Sequence, residues 1–105
     1  MQRIAFTMKL FPGFEAEYRR RHAVIWPELS GLLHEAGIRD YSIFLDPRTL
    51  TLFAYMQIAD SRKLEDLPRE PVMQRWWDFM KDVMETNPDQ SPVTSPLQEV
   101  FYLEG

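Results

Sequence analysis

A chain of 105 residues, 45% hydrophobic and 27% charged, has the length and composition of one globular domain, expected to span residues 1–105. A net charge of −4 and a pI near 5.1 exclude the dense basic face that a nucleic-acid partner requires. The absence of cysteine excludes disulfides, thiolate nucleophiles, iron–sulfur clusters and Cys-based zinc sites, and fits a cytoplasmic location. No run approaches the ~20 apolar residues of a membrane span, and the first residues lack the apolar core and cleavage site of a signal peptide, so no membrane association is expected.

Arg3 to Leu10 alternates, with Ile4, Phe6, Met8 and Leu10 on one side, which is strand periodicity. Pro12-Gly13 ends it, and a helix is expected from about Phe14. Glu15–Arg19 and Glu17–Arg21 are acid-before-base pairs at i,i+4 that support it. Arg19-Arg20-Arg21 reads as a solvated helix face. Pro27 has no N–H to give to a preceding turn and breaks the helix. Glu28 to Ala36 then reads as a further helical stretch, with Leu29, Leu32 and Leu33 as its apolar stripe and Gly37 at its left-handed end.

Ile38 to Leu45 is the next expected strand, with Tyr41, Ile43 and Leu45 on one face and Ser42 and Phe44 on the other. Asp46-Pro47-Arg48-Thr49 is a turn, and Leu50 to Ile58 returns as an antiparallel partner. This last strand is apolar on both faces, which predicts a second covering layer; in so short a chain that layer is expected to be another subunit. Asp60-Ser61 can cap a short helix to about Leu67, and Glu70 to Met84 is a stronger one with Pro71 in its first turn. Its stripe is Val72, Trp76, Phe79, Met80 and Val83. Asn87 to Pro96 is a loop with three prolines, a candidate wall or lid, and Gln98 to Leu103 reads as a final strand. The order β-α-β-β-α-β predicts an α+β, ferredoxin-like fold: a four-stranded antiparallel sheet with helices on one face. The open face can meet its copy across a two-fold axis, giving a dimeric, barrel-type assembly.

His22 is the strongest candidate for acid–base chemistry, because an imidazole exchanges protons near neutral pH. A histidine beside three arginines is more often a plain surface residue, so its neighbours matter. Tyr18 and His22 are four residues apart and on a helix share a face, about 40° from each other. Trp26 lies four residues further on. Trp76 and Trp77 diverge by about 100° on a helix, so either one packs while the other lines a cavity, or both flank a pocket at the helix edge. A core position for Trp76 with a dimer contact for Trp77 is the competing arrangement. Tyr41, facing inward with Ile43, needs a hydrogen-bond partner from protein or ligand. Aromatic faces with phenol and indole donors suit a carbohydrate. His22 and His34 are separated by twelve residues and a proline with no third obvious ligand, so no metal or haem site is expected. The four glycines are scattered and form no phosphate loop.

These residues resemble the L-rhamnose mutarotase family. The matching stretches are Glu17-Tyr18-Arg19-Arg20-Arg21-His22, Ile25-Trp26-Pro27-Glu28-Leu29, Tyr41 with the Leu45-Asp46 turn, Gln74-Arg75-Trp76-Trp77, Met80, Asp82-Val83-Met84, and the tail from Asn87 to Leu103. The resemblance spans nearly the whole chain. It implies a cytoplasmic homodimer that interconverts the α and β anomers of L-rhamnose without cofactor or metal. By the same resemblance the proton donor falls on His22. Opening a cyclic hemiacetal needs an acid at the ring oxygen, the role expected of His22, and a base at the anomeric hydroxyl, for which Tyr18, a water or a carboxylate stay open. The sugar-binding positions fall on Tyr18, Tyr41, Trp76 and Trp77. Two other readings share the architecture: a dimeric ferredoxin-like monooxygenase or haem-degrading enzyme, and a non-catalytic sugar-binding module.

Overall fold

A computed structural model describes residues 1–105. The alternation of the first segment forms β1 (Gln2–Lys9), which pairs antiparallel with β3 (Thr51–Ile58) from Gln2↔Ile58 to Lys9↔Thr51. β2 (Ile38–Asp46) pairs antiparallel with the other edge of β3. A two-residue β4 (Ser95–Pro96) sits on the far side of β1, giving the order β2-β3-β1-β4. This is the expected ferredoxin-like, four-stranded antiparallel sheet.

Three helices lie on one face of it. The stretch from Phe14 to Ala36 is two helices, α1 (Glu15–Ala23) and α2 (Pro27–Glu35), with Pro27 at the first position of the second. α3 (Pro71–Met80) follows two short 3-10 turns, the first capped by Asp60 through the N–H of Arg62 (3.0 Å). Met8, Leu10, Tyr18, Leu29, Leu52, Ala54, Trp76, Met80, Val83 and Met84 form the main core between helices and sheet. Ile38, Met56 and Ile58 form a second cluster beneath α2 and the 3-10 turns.

Three expectations change. α3 ends at Met80, four residues earlier than expected, because the chain turns there and returns to β1: Phe11 donates to the Val83 carbonyl (2.9 Å) and Met84 bridges to Leu10. The expected last strand, Gln98 to Leu103, does not pair. Regular pairing stops at Pro96, with one further bond from Leu97 to the Ala5 carbonyl (2.9 Å). The residues beyond keep the apolar pattern of a strand but find no partner strand within the chain; Val100, Phe101 and Leu103 are 92%, 76% and 77% exposed. Finally, Arg21 is not part of a solvated face. Only 10% of its side chain is exposed, and it joins α1 to the end of α3.

Candidate functional site

α1 has little apolar surface, and Tyr18 is its one buried residue. Its placement depends on that ring and on Arg21. The Arg21 guanidinium donates to the Phe79 carbonyl (2.6 Å), to both carboxylate oxygens of Asp82 (2.8 and 3.2 Å) and to Glu17 (2.7 Å), and lies over the Phe79 ring. This clamp holds His22, the next residue, against α3.

Tyr18 and His22 stack as their i,i+4 spacing predicts, ring centroids 4.3 Å apart. The Trp76 ring stands nearly perpendicular to that of His22, centroids 5.4 Å apart. His22 Nδ1 lies 3.0 Å from the Tyr18 carbonyl oxygen. A carbonyl only accepts, so Nδ1 carries the proton and the neutral ring presents the Nε2 lone pair. Burial lowers the His22 pKa, and the bond to the Tyr18 carbonyl offsets part of that shift. Neutral imidazole is therefore the resting form at pH 7.

Tyr18, His22, Tyr41, Trp76 and Trp77 all line one cavity of 80 Å³, together with Met8, Ile43, Met73, Met80, Met84 and Pro92. All five sequence-selected residues thus converge, drawn from α1, β2 and α3. Burial raises the pKa of Tyr18, and raises that of Tyr41 to about 12 although 38% of that residue is open to solvent. Both phenols stay protonated and can donate and accept hydrogen bonds. Trp76 serves two ends, buried in the core and lining the cavity, while half-buried Trp77 lines it beside Trp76. Trp26 does not line the cavity. It packs on Trp76 (5.1 Å) and Phe79 (5.5 Å) from behind.

The methionines and Pro92 were not singled out by sequence. Met8 and Met80 followed from periodicity as core residues, and their lining role needs the tertiary arrangement. Pro92 makes the proline-rich loop a wall of the cavity. That loop is tied down by Glu85 to the Lys9 carbonyl (3.0 Å), Val93 to Glu85 (3.2 Å) and Asn87 to Ser91 (2.7 Å). A larger depression of 220 Å³ lies between α2 and the 3-10 turns, lined by Glu35, Asp66 and Glu70 among others. It holds no aromatic face and none of the selected residues.

An α+β domain with a ferredoxin-like sheet brings together one half-buried histidine, two protonated phenols and two indoles, groups that can exchange a proton and hydrogen-bond to hydroxyls. The family model of L-rhamnose mutarotase matches residues 3–103. The L-rhamnose mutarotase of Phocaeicola vulgatus is 51% identical over 99% of this chain and 100% of its own length. That of Paraburkholderia phytofirmans is 52% identical over 100% of this chain and 98% of its own. The crystal structure of the Formosa agariphila L-rhamnose mutarotase superposes with a TM-score of 0.93 at 47% identity, covering 99% of this chain and 100% of that one. The chain belongs to the L-rhamnose mutarotase family, a family of isomerases.

Proposed function

We propose that the protein interconverts the α and β anomers of L-rhamnose in L-rhamnose metabolism, and that His22 moves the proton. The observation that carries the mechanism is the hydrogen-bonded Nδ1, which leaves Nε2 as a free base beside two protonated phenols. Nε2 takes the proton of the anomeric hydroxyl. The C1–O1 bond gains double-bond character while the C1–O5 bond breaks and its electron pair goes to O5. The imidazolium then delivers the same proton to the ring oxygen, which is bonded to the same carbon. Rotation about C1–C2 and the reverse steps close the ring on the other face. His22 is thus the acid at the ring oxygen, and its proton comes from the substrate. Every proton and electron pair is accounted for within substrate and imidazole, so no cofactor is invoked.

The raised pKa values of Tyr18 and Tyr41 suit them to orient sugar hydroxyls rather than to act as bases. Trp76 and Trp77 offer ring surface to the sugar C–H groups. At 80 Å³ the cavity is smaller than the roughly 300–1,000 Å³ of pockets that engulf a ligand, so the C1 edge enters and the far side of the ring stays at the mouth. The working unit in this reading is a cytoplasmic homodimer joined through the open sheet face, where Phe44 (68% exposed) and Phe53 (40%) lie uncovered. Replacing His22 with Ala tests the assignment: anomer exchange should fall 10²–10⁴-fold with rhamnose affinity nearly unchanged. Undiminished exchange removes His22 from the mechanism.

A further inference from the structure

Ile38 and Tyr41 both face the helices, yet they are three residues apart. In an uninterrupted strand, residues separated by an odd number point to opposite faces. The structure resolves this with one extra residue. Arg39 pairs with Gln57 and Ser42 with Tyr55, so Asp40 and Tyr41 together oppose Met56. The bulge hinges on Asp40, whose φ is +53°, in the left-handed region that Gly, Asn and Asp enter far more readily than other residues. Before the bulge Ile38 is buried in the second core cluster opposite Ile58; after it Ile43 and Leu45 oppose Ala54 and Leu52 in the main core. Both ends of β2 are therefore fixed by packing, and the mismatch between them falls on the two residues next to the cavity.

We propose that Asp40 is a positioning residue for the sugar site, acting through the bulge: its left-handed backbone sets the angle at which Tyr41 enters the cavity beside Tyr18. Its carboxylate is not the working part. The exposed side chain is free to be lost, whereas the positive φ is not. The inference deepens the rhamnose-binding reading of Tyr41 and rests on it.

The test compares Asp40→Gly, Asp40→Val and Asp40→Ala, each alone and with Tyr41→Phe. Anomer exchange of L-rhamnose is measured below and above saturation. Glycine adopts the positive φ at no cost, so Asp40→Gly should keep kcat/KM within about twofold. Valine cannot adopt it without strain, so Asp40→Val should lose at least about tenfold, chiefly through KM. Asp40→Ala replaces it if the valine variant does not fold. In the Tyr41→Phe background the valine substitution should add little, because the group it misplaces is already gone. A large loss in Asp40→Gly, wild-type exchange in Asp40→Val, or losses in Asp40→Val and Tyr41→Phe that simply multiply would overturn the proposal. Nuclear Overhauser contacts of the Tyr41 ring with the other side chains lining the cavity give a readout that does not depend on rhamnose. They should persist in Asp40→Gly and vanish in Asp40→Val, and persistence in both overturns the positioning role. If Tyr41→Phe alone leaves exchange unchanged, the sugar-binding role of Tyr41 fails, and the ring contacts still decide what Asp40 does.

Discussion

At His22 two neighbours make three contacts. The Tyr18 carbonyl fixes the tautomer, the Tyr18 ring stacks on the imidazole and the Trp76 ring stands nearly perpendicular to it. Burial lowers the imidazole pKa below its ordinary 6.5, so the base form prevails at neutral pH. Exchange catalysed by the protein should therefore rise with pH through a single midpoint below 6.5 and stay level above it, because the phenols titrate only far to the alkaline side. A pH profile of the exchange rate, corrected for the hydroxide-catalysed background, checks this; a midpoint above 7 would contradict it. The same shift affects folding. The unfolded chain binds the His22 proton first as pH falls, so the contribution of His22 to stability is full above pH 6.5 and is lost as pH drops through the folded-state pKa. The two indoles should separate by function. Trp77→Ala should weaken rhamnose binding with little effect on the melting temperature, whereas Trp76→Ala removes a core ring and should cost about 3–5 kcal/mol of stability.

At the scale of elements, α1 depends on its polar anchor. Its nine residues bury one ring, and Arg21, itself braced by Glu17 one turn earlier, supplies the remaining attachment by bonding to Phe79 and Asp82. Hydrogen bonds to a charged group contribute about 1.5–3 kcal/mol. Arg21→Met keeps the stem and removes the donors; the unfolding free energy should fall by that amount, seen as a lower urea midpoint at unchanged slope, and exchange should fall with it as His22 loses its backing. Arg20 and Arg21 hold the Glu17 carboxyl down at about 2, so these bonds within α1 are complete above pH 4.5 and are lost only as pH falls toward 2. The sequence showed β1 through its alternation, β3 through an apolar run returning from the Asp46–Thr49 turn, and the two-helix connection through the break at Pro27. It could not show the bulge at Asp40, which arises from two packing constraints at opposite ends of β2. Nor could it show that Arg21 turns inward while Arg19 and Arg20 stay exposed, since three adjacent arginines differ only in which direction the helix gives them. The end of α3 was misplaced for a similar reason. Met84 has the right spacing for the helix stripe, yet it is buried by bridging to Leu10 instead.

The whole molecule has one finished face and one unfinished one. Helices cover the inner side of the sheet. On the outer side Phe44 stands directly opposite Phe53, with Tyr55 beside Ser42. The segment after Pro96 carries Val100, Phe101 and Leu103 in the open, held by the Arg3–Glu99 ion pair (2.8 Å) and by Arg3 lying over the Tyr102 ring (3.5 Å). A second copy seated on the open face would remove these apolar groups from water. In sedimentation velocity the unmodified protein should therefore run as a dimer and Phe44→Glu as a monomer; a dimer in both would move the interface elsewhere, and a monomer in both would refute it. The apolar pattern on both faces of the third strand was legible in the sequence, and so was the demand for a covering layer. The failure of residues 98–103 to pair was not, because a strand pattern records what a segment needs and not what the rest of the chain offers it. The site was legible for a different reason: its five residues carry chemistry that a core alone does not require, and the fold brings them to one cavity.

Saturation-transfer NMR on the anomeric protons of equilibrated L-rhamnose bears most directly on the proton-transfer role of His22. With the unmodified protein present, saturating the α signal should diminish the β signal at a rate proportional to protein concentration. With His22→Ala at the same concentration the transfer should fall 10²–10⁴-fold. Equal transfer by both proteins, or none by the unmodified protein under conditions where rhamnose binds, would contradict it.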